Sequence, residues 1–150
     1  MPRGTRRLPA QCLKLLAASD VILHGGDFVS RAVYEELAKL APVQGVAGNM
    51  DDAELRELLP VRRVLALEGI RIGMVHDAGP ATGRRERLVK TFPECDAVVY
   101  GHTHVPDSVQ VGNTWILNPG SPTERRSAAS HGMIVLDVEQ SDLDVRTYVL

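Results

Sequence analysis

Short apolar runs alternate with stretches of helical spacing through the first half of this chain, and short apolar runs follow one another in its second half. Pro9 to Ser19 sets Leu13, Leu15, Leu16 and Ala17 beside Cys12, which predicts an amphipathic helix entered through a proline. Val21 to Leu23 reads as a short strand running into His24-Gly25-Gly26-Asp27. Ser30 stands where it can cap a helix from Arg31 to Leu40, with Val33, Leu37 and Leu40 on one face. Pro42 to Ala47 predicts the next strand, ending in Gly48-Asn49-Met50-Asp51. Asp51-Asp52 then opens a helix through Leu59, with Asp51 as the expected cap and Pro60 as the stop.

The pattern then changes to hairpins. Val61 to Leu67 and Ile70 to Val75 flank Glu68-Gly69, the signature of two antiparallel strands around a tight turn, and the second strand runs into His76. Arg84 to Thr91 follows a Gly-Pro loop as a helix. Ala97 to Tyr100, apolar throughout, predicts a strand buried on both faces. Val109 to Val111 and Thr114 to Leu117 flank Gly112-Asn113. Met133 to Val138 and Leu143 to Val149 flank a polar turn. Strands alternating with helices early and pairing as hairpins late predict an α/β fold: a two-sheet β-sandwich flanked by helices.

Composition adds limits. A chain of 150 residues, 44% hydrophobic and 24% charged, suits one domain spanning 1–150 with a real core. No apolar run is long enough for a membrane span, and the basic N-terminus lacks the apolar region of a secretory signal. A net charge of −2 gives no electrostatic case for nucleic acid. Cys12 and Cys95, far apart, read as two reduced thiols, which agrees with a cytoplasmic setting.

The chemistry gathers around DAVVYGHTHVPD, Asp96 to Asp107. His102 and His104 follow a strand end one residue apart, so a turn there can point both imidazoles into one crevice. Imidazole is the commonest side-chain ligand of borderline divalent metals. Three other strands end in metal-competent side chains: Asp27, Asn49 and His76. If the strands share a direction, these groups converge beyond one sheet edge. Carboxylate, amide oxygen and imidazole make a mixed shell that suits manganese first, with nickel, iron or zinc also compatible.

Gly-Asp, Gly-Asn-x-Asp, a strand-end His and Gly-His-Thr-His, in this order, resemble the calcineurin-like metallophosphoesterases. Within them the small phosphodiesterases of the YfcE-like branch are most similar, and Leu117 to Pro122 (LNPGSP) strengthens the resemblance. It implies two divalent metals and hydrolysis of a phosphoester substrate. It also implies roles: Asp27 bridging the metals, Asn49, His76 and His102 completing the second site, and His104 belonging to the first. Family members open with a strand ending in Asp-x-His, which supplies two ligands of the first site. No such motif stands near Met1, and MPRGTRRLP resembles what normally follows it. The expectation is therefore an N-terminally truncated domain lacking its first strand, with an exposed flank that favours lower stability or a homo-oligomer formed through that edge. Met50 stands where larger relatives have a catalytic His, so no protonated imidazole is expected to assist a leaving group.

Around this core the reading assigns supporting roles. Asp51 and His24 are expected to orient ligands, and Ser121 to touch substrate or backbone. Arg84 is a candidate for substrate phosphate, set against a solvated helix face for Arg84, Arg85 and Arg87. Three functions remain open on sequence: a two-metal phosphodiesterase, a single-metal hydrolase using Asp27, Asn49, His76 and His102, and a protein-interaction scaffold like the retromer's sorting subunit, which resembles the same family.

Overall fold

A five-stranded mixed sheet carries the molecule. The structure, a computed structural model, describes residues 7–150. In chain order the elements are α1 (Ala10–Ala17), β1 (Ile22–His24), α2 (Arg31–Ala38), β2 (Val43–Gly45), α3 (Ala53–Leu58), β3 (Arg62–Leu67) and β4 (Ile70–Val75). They continue as α4 (Arg84–Thr91), β5 (Ala97–Tyr100), β6 (Asp107–Val111), β7 (Thr114–Asn118), β8 (Gly132–Glu139) and β9 (Asp142–Val149).

The sheet is parallel at its centre, where β4 and β7 flank β5, and antiparallel at its margins, where β3 and β6 return as hairpins. All four residues of β5 are buried, as expected of a parallel strand covered on both faces. On one face Val75, Val98, Tyr100 and Ile116 meet Leu88 and Phe92 from α4 and the turn after it. On the other, Ile72, Met74, Val99 and Leu117 meet two separate groups: Leu23 and Val46 from the β1–β2 region, and Ile134, Leu136 and Val145 from β8–β9. Ile22 points the opposite way from Leu23, into a third cluster with Phe28, Leu37 and Leu55 beneath the first three helices.

The architecture is thus an α/β fold with a mixed sheet and helices outside. The second layer differs from a continuous sheet. Among the described residues it consists of two pieces, parallel β1–β2 and antiparallel β8–β9. No strand precedes α1 among the described residues. The first six residues, on which part of the N-terminal reading rests, lie outside them.

Two cap assignments change. Ser30 sits at the N-cap of α2 but makes no side-chain bond to it. Asp52 does this work for two helices: its Oδ2 accepts the N–H of Arg31 at 3.1 Å and its Oδ1 that of Leu55 in α3 at 2.9 Å. Asp51, expected as the cap, is turned inward instead.

Candidate functional site

β1, β2, β4 and β5 end at the same edge, and their following turns carry Asp27, Asn49, His76 and His102. These four meet. The Nε2 atom of His76 stands 3.0 Å from Asn49 Oδ1, 3.3 Å from His102 Nδ1 and 3.4 Å from Asp27 Oδ1. His102 Nδ1 is also 3.0 Å from Asn49 Oδ1.

The protonation of His76 gives this geometry its meaning. Its Nδ1 faces the Gly25 carbonyl at 2.6 Å and can only donate there, so in the neutral ring Nε2 carries a lone pair. That lone pair faces a carboxylate oxygen, an amide oxygen and a second imidazole nitrogen. With His102 in the tautomer that leaves Nδ1 unprotonated, four electron-rich atoms face one another, an arrangement that a cation would satisfy. Donors bound at about 2.1 Å to one cation lie about 3.0 Å apart in an octahedron and about 3.4 Å apart in a tetrahedron. The observed separations run from 3.0 to 3.4 Å. The residues therefore fit a divalent cation. Among the described residues no three His, Cys, Asp or Glu side chains form a group that could hold a metal ion, so Asp27, His76 and His102 do not make one without a further donor; Asn49 Oδ1, 3.0 Å from both imidazole nitrogens, would supply it.

Backbone strain marks the same place. Asp27 (φ 62°), His102 (φ 64°) and His104 (φ 60°) are all non-glycine residues in the left-handed region, as is Val29 (φ 80°). Bonds from neighbouring loops hold them there. Asp27 Oδ1 accepts the N–H of Met50 at 2.8 Å, joining the first two ligand loops. Asp51, 3% exposed, accepts from Val29 at 2.8 Å and from Gly48 at 2.7 Å, joining them again one layer deeper. Two glycines are required by contact: a Cβ on Gly48 would stand 2.2 Å from Asp27 Oδ1, and one on Gly26 (φ 91°) would stand 2.6 Å from His76 Nδ1.

The remaining predicted residues fall into place around this group. His24 stacks on Phe28 with ring centroids 3.6 Å apart, and its Nδ1 accepts the N–H of Gly26 at 3.2 Å. Burial pushes its pKa down to about 3, keeping it neutral. His104 borders the same cleft as Asp27, His76 and His102, but its Nδ1 is bound to the Glu124 carbonyl rather than to the other ligands, and burial lowers its pKa. Ser121 touches backbone, its Oγ accepting from Glu124 at 3.1 Å. Arg84 is engaged elsewhere: its guanidinium binds the Gly79 carbonyl and lies 5.6 Å from the Tyr100 ring centroid.

Three residues take supporting roles that the sequence did not assign, among them Arg87, which was read as part of a solvated helix face. Asn118, fully buried at the end of β7, donates to Gly101 O at 3.0 Å and to Thr103 Oγ1 at 3.1 Å, fixing the loop between the two histidines. Its strand-end position before Pro119 was the available signal. Arg126 donates to the His102 carbonyl at 3.0 Å from a loop with no periodic pattern. Arg87 ties Ala78 and Pro80 together through their carbonyls, and so braces the segment after His76.

Comparison with known proteins agrees with this arrangement. Residues 4–141 match the model of the calcineurin-like phosphoesterase superfamily domain. A probable metallophosphoesterase of Methanothermobacter thermautotrophicus is 32% identical over 148 residues, covering 97% of this chain and 86% of that protein. The phosphodiesterase YfcE of Escherichia coli is 32% identical over 139 residues, covering 83% and 73%. Among solved structures, wild-type Vps29 of Entamoeba histolytica complexed with zinc has a TM-score of 0.81 at 26% identity, covering 99% of this chain and 87% of that one.

Proposed function

We propose a hydrolytic function for this chain, which belongs to the calcineurin-like phosphoesterase superfamily: it is a metal-dependent phosphoesterase acting chiefly on phosphodiesters. The observation that carries the reading is that His76 Nε2 has Asn49 Oδ1, His102 Nδ1 and Asp27 Oδ1, from three other segments, within 3.0 to 3.4 Å. Asp27, Asn49, His76 and His102 would hold that cation, manganese by preference, with nickel, iron or zinc as alternatives. A divalent cation bound here supplies neutralisation of phosphate charge and brings the pKa of a coordinated water toward neutrality.

The chain's own groups do the rest. The Gly25 carbonyl fixes the His76 tautomer, so Nε2 is available as a donor without a proton having to leave. The Met50 N–H orients the Asp27 carboxylate. Met50 itself is partly exposed and cannot give a proton to a departing alkoxide. Diesters with acidic leaving groups should therefore turn over better than those with poor ones. His104, whose Nδ1 is bound to the Glu124 carbonyl, keeps Nε2 as a donor on the border of the same cleft. A second cation would draw on His104 together with groups beyond these four.

The test is hydrolysis of an aryl phosphodiester with added Mn²⁺. Turnover that depends on the metal and disappears in His102→Ala supports the reading. A folded, metal-loaded chain that does not turn over any aryl diester supports the second reading instead, a scaffold, which the likeness to Vps29 keeps in view.

A further inference from the structure

The loop that follows β7 reaches back to both histidines of the turn after β5. The Glu124 carbonyl meets His104 Nδ1, and two residues later the Arg126 guanidinium donates to the His102 carbonyl at 3.0 Å. The chain bends tightly at this point. Ala128 N donates to Arg125 O at 2.8 Å, and the Arg125 guanidinium donates to Ala129 O at 2.7 Å. Of the two central residues, Arg126 and Ser127, only Arg126 has a positive φ, 48°. That is the pattern of a type II′ turn, whose first central position favours glycine. A residue with a Cβ is strained there. The turn itself is held by Arg125 and by the Ala128 N–H, so its closure does not call on the Arg126 side chain. Strain that the fold does not require points to a side chain needed in that place.

A guanidinium carries five N–H donors in a planar fork. The His102 carbonyl uses one of those on Arg126. Among the described residues no carboxylate pairs with Arg126 and no other acceptor meets it. The arginines of α4 are occupied by contrast. Arg84 and Arg87 bind carbonyls of the loop after His76, and Arg85 binds both oxygens of Asp107. Arg126 is exposed, tied to the histidine turn at one nitrogen and open at the others. Bracing one carbonyl needs a single donor and no fixed charge. An open fork with a permanent charge suits a phosphate, whose oxygens accept parallel N–H bonds.

We propose that Arg126 is a substrate-binding residue, whose open N–H groups take the non-bridging oxygens of a phosphodiester bound beside His102. The His102 carbonyl holds the guanidinium at the turn before substrate arrives, so less side-chain freedom is lost on binding. The anion is a phosphoester on the function proposed above, and the assignment rests on that reading.

The probe is methyl phenylphosphonate, a diester analogue with a poor leaving group, titrated by isothermal calorimetry into the Mn²⁺-loaded chain. The unaltered chain is expected to bind it, and Arg126→Gln to bind it at least about tenfold more weakly. Mn²⁺ alone should bind the two chains with affinities within about twofold of each other. Arg126→Lys, which keeps the charge without the fork, should fall between them. Arg126→Gly should bind the analogue as poorly as Arg126→Gln, yet unfold about 2–4 °C higher than it, because glycine relaxes the turn. The glycine variant also decides the matter if the glutamine one folds poorly. Equal affinity of Arg126→Gln and the unaltered chain for the analogue overturns the proposal, as does no binding to the unaltered chain up to about 10 mM. So does a parallel loss of Mn²⁺ affinity, because Arg126 is then a brace for His102 alone. An unaltered chain that binds the analogue through Arg126 but leaves every aryl diester intact supports the role of Arg126 and counts against the phosphoesterase reading instead.

Discussion

The carboxylate of Asp51 accepts the N–H of Gly48 at 2.7 Å. Its other oxygen takes the N–H of Val29, a β-branched residue held at φ 80°. One buried acid thus sets the spacing between the loops that carry Asp27 and Asn49. Each bond to a buried charged acceptor contributes about 1.5–3 kcal/mol. Asp51→Ala should therefore cost about 3–5 kcal/mol in urea unfolding and weaken metal affinity as well. Asp51→Asn, which keeps one acceptor oxygen, should recover about half of the lost stability.

Gly26 and Gly48 make a second, sharper prediction. Alanine at either position drives a Cβ into a metal-donor side chain, at 2.6 Å from His76 Nδ1 or 2.2 Å from Asp27 Oδ1. Overpacking of this kind costs about 1–3 kcal/mol, and more at Gly26 because of its left-handed backbone and at Gly48 because the same Cβ also meets the Asp27 backbone nitrogen. Both variants should bind Mn²⁺ more weakly by isothermal titration than stability loss alone explains, since the displaced atoms are the site itself. Unchanged affinity in a folded Gly48→Ala chain would remove Asp27 from the site.

Legibility in the sequence follows the range of each signal. β5 and α4 run over the residues that pattern alone assigns, because burial on both faces and Gly-Pro punctuation are local properties. The meeting of Asp27, Asn49, His76 and His102 was also legible, since each follows a strand and strand ends gather at one edge. The role of Asp51 was half legible. Two adjacent acids look alike in sequence, and only the tertiary position of Val29 decides which one turns inward and which one caps. The bond from His104 to the Glu124 carbonyl was not legible, because the loop around Glu124 has no periodic pattern.

His24 predicts an acid limit. Its pKa falls from an ordinary 6.5 to about 3 in the folded chain because burial disfavours the charged ring. Between these values the unfolded chain binds a proton that the folded chain does not, so stability rises with pH through this window. The contribution is whole above about pH 6.5 and is lost progressively toward pH 3, at no more than about 1.4 kcal/mol per pH unit. Urea unfolding of the metal-free chain across that range should show this slope, and His24→Asn should flatten it.

The thiols should be inert in the native state. Cys12 and Cys95 are free and buried, and burial raises both pKa values, that of Cys12 to about 11. A colorimetric disulfide reagent at pH 8 should titrate both only after denaturation. Rapid reaction in native buffer would show that α1 opens readily and exposes Cys12.

The central claim is that four side chains from distant segments share one cation. The direct measurement is a crystal soaked in Mn²⁺ and recorded at a wavelength where manganese scatters anomalously. The account predicts a difference peak within bonding distance, about 2.0–2.4 Å, of Asp27 Oδ1, Asn49 Oδ1, His76 Nε2 and His102 Nδ1. A well-occupied peak elsewhere, or none at these atoms under saturating metal, would contradict it.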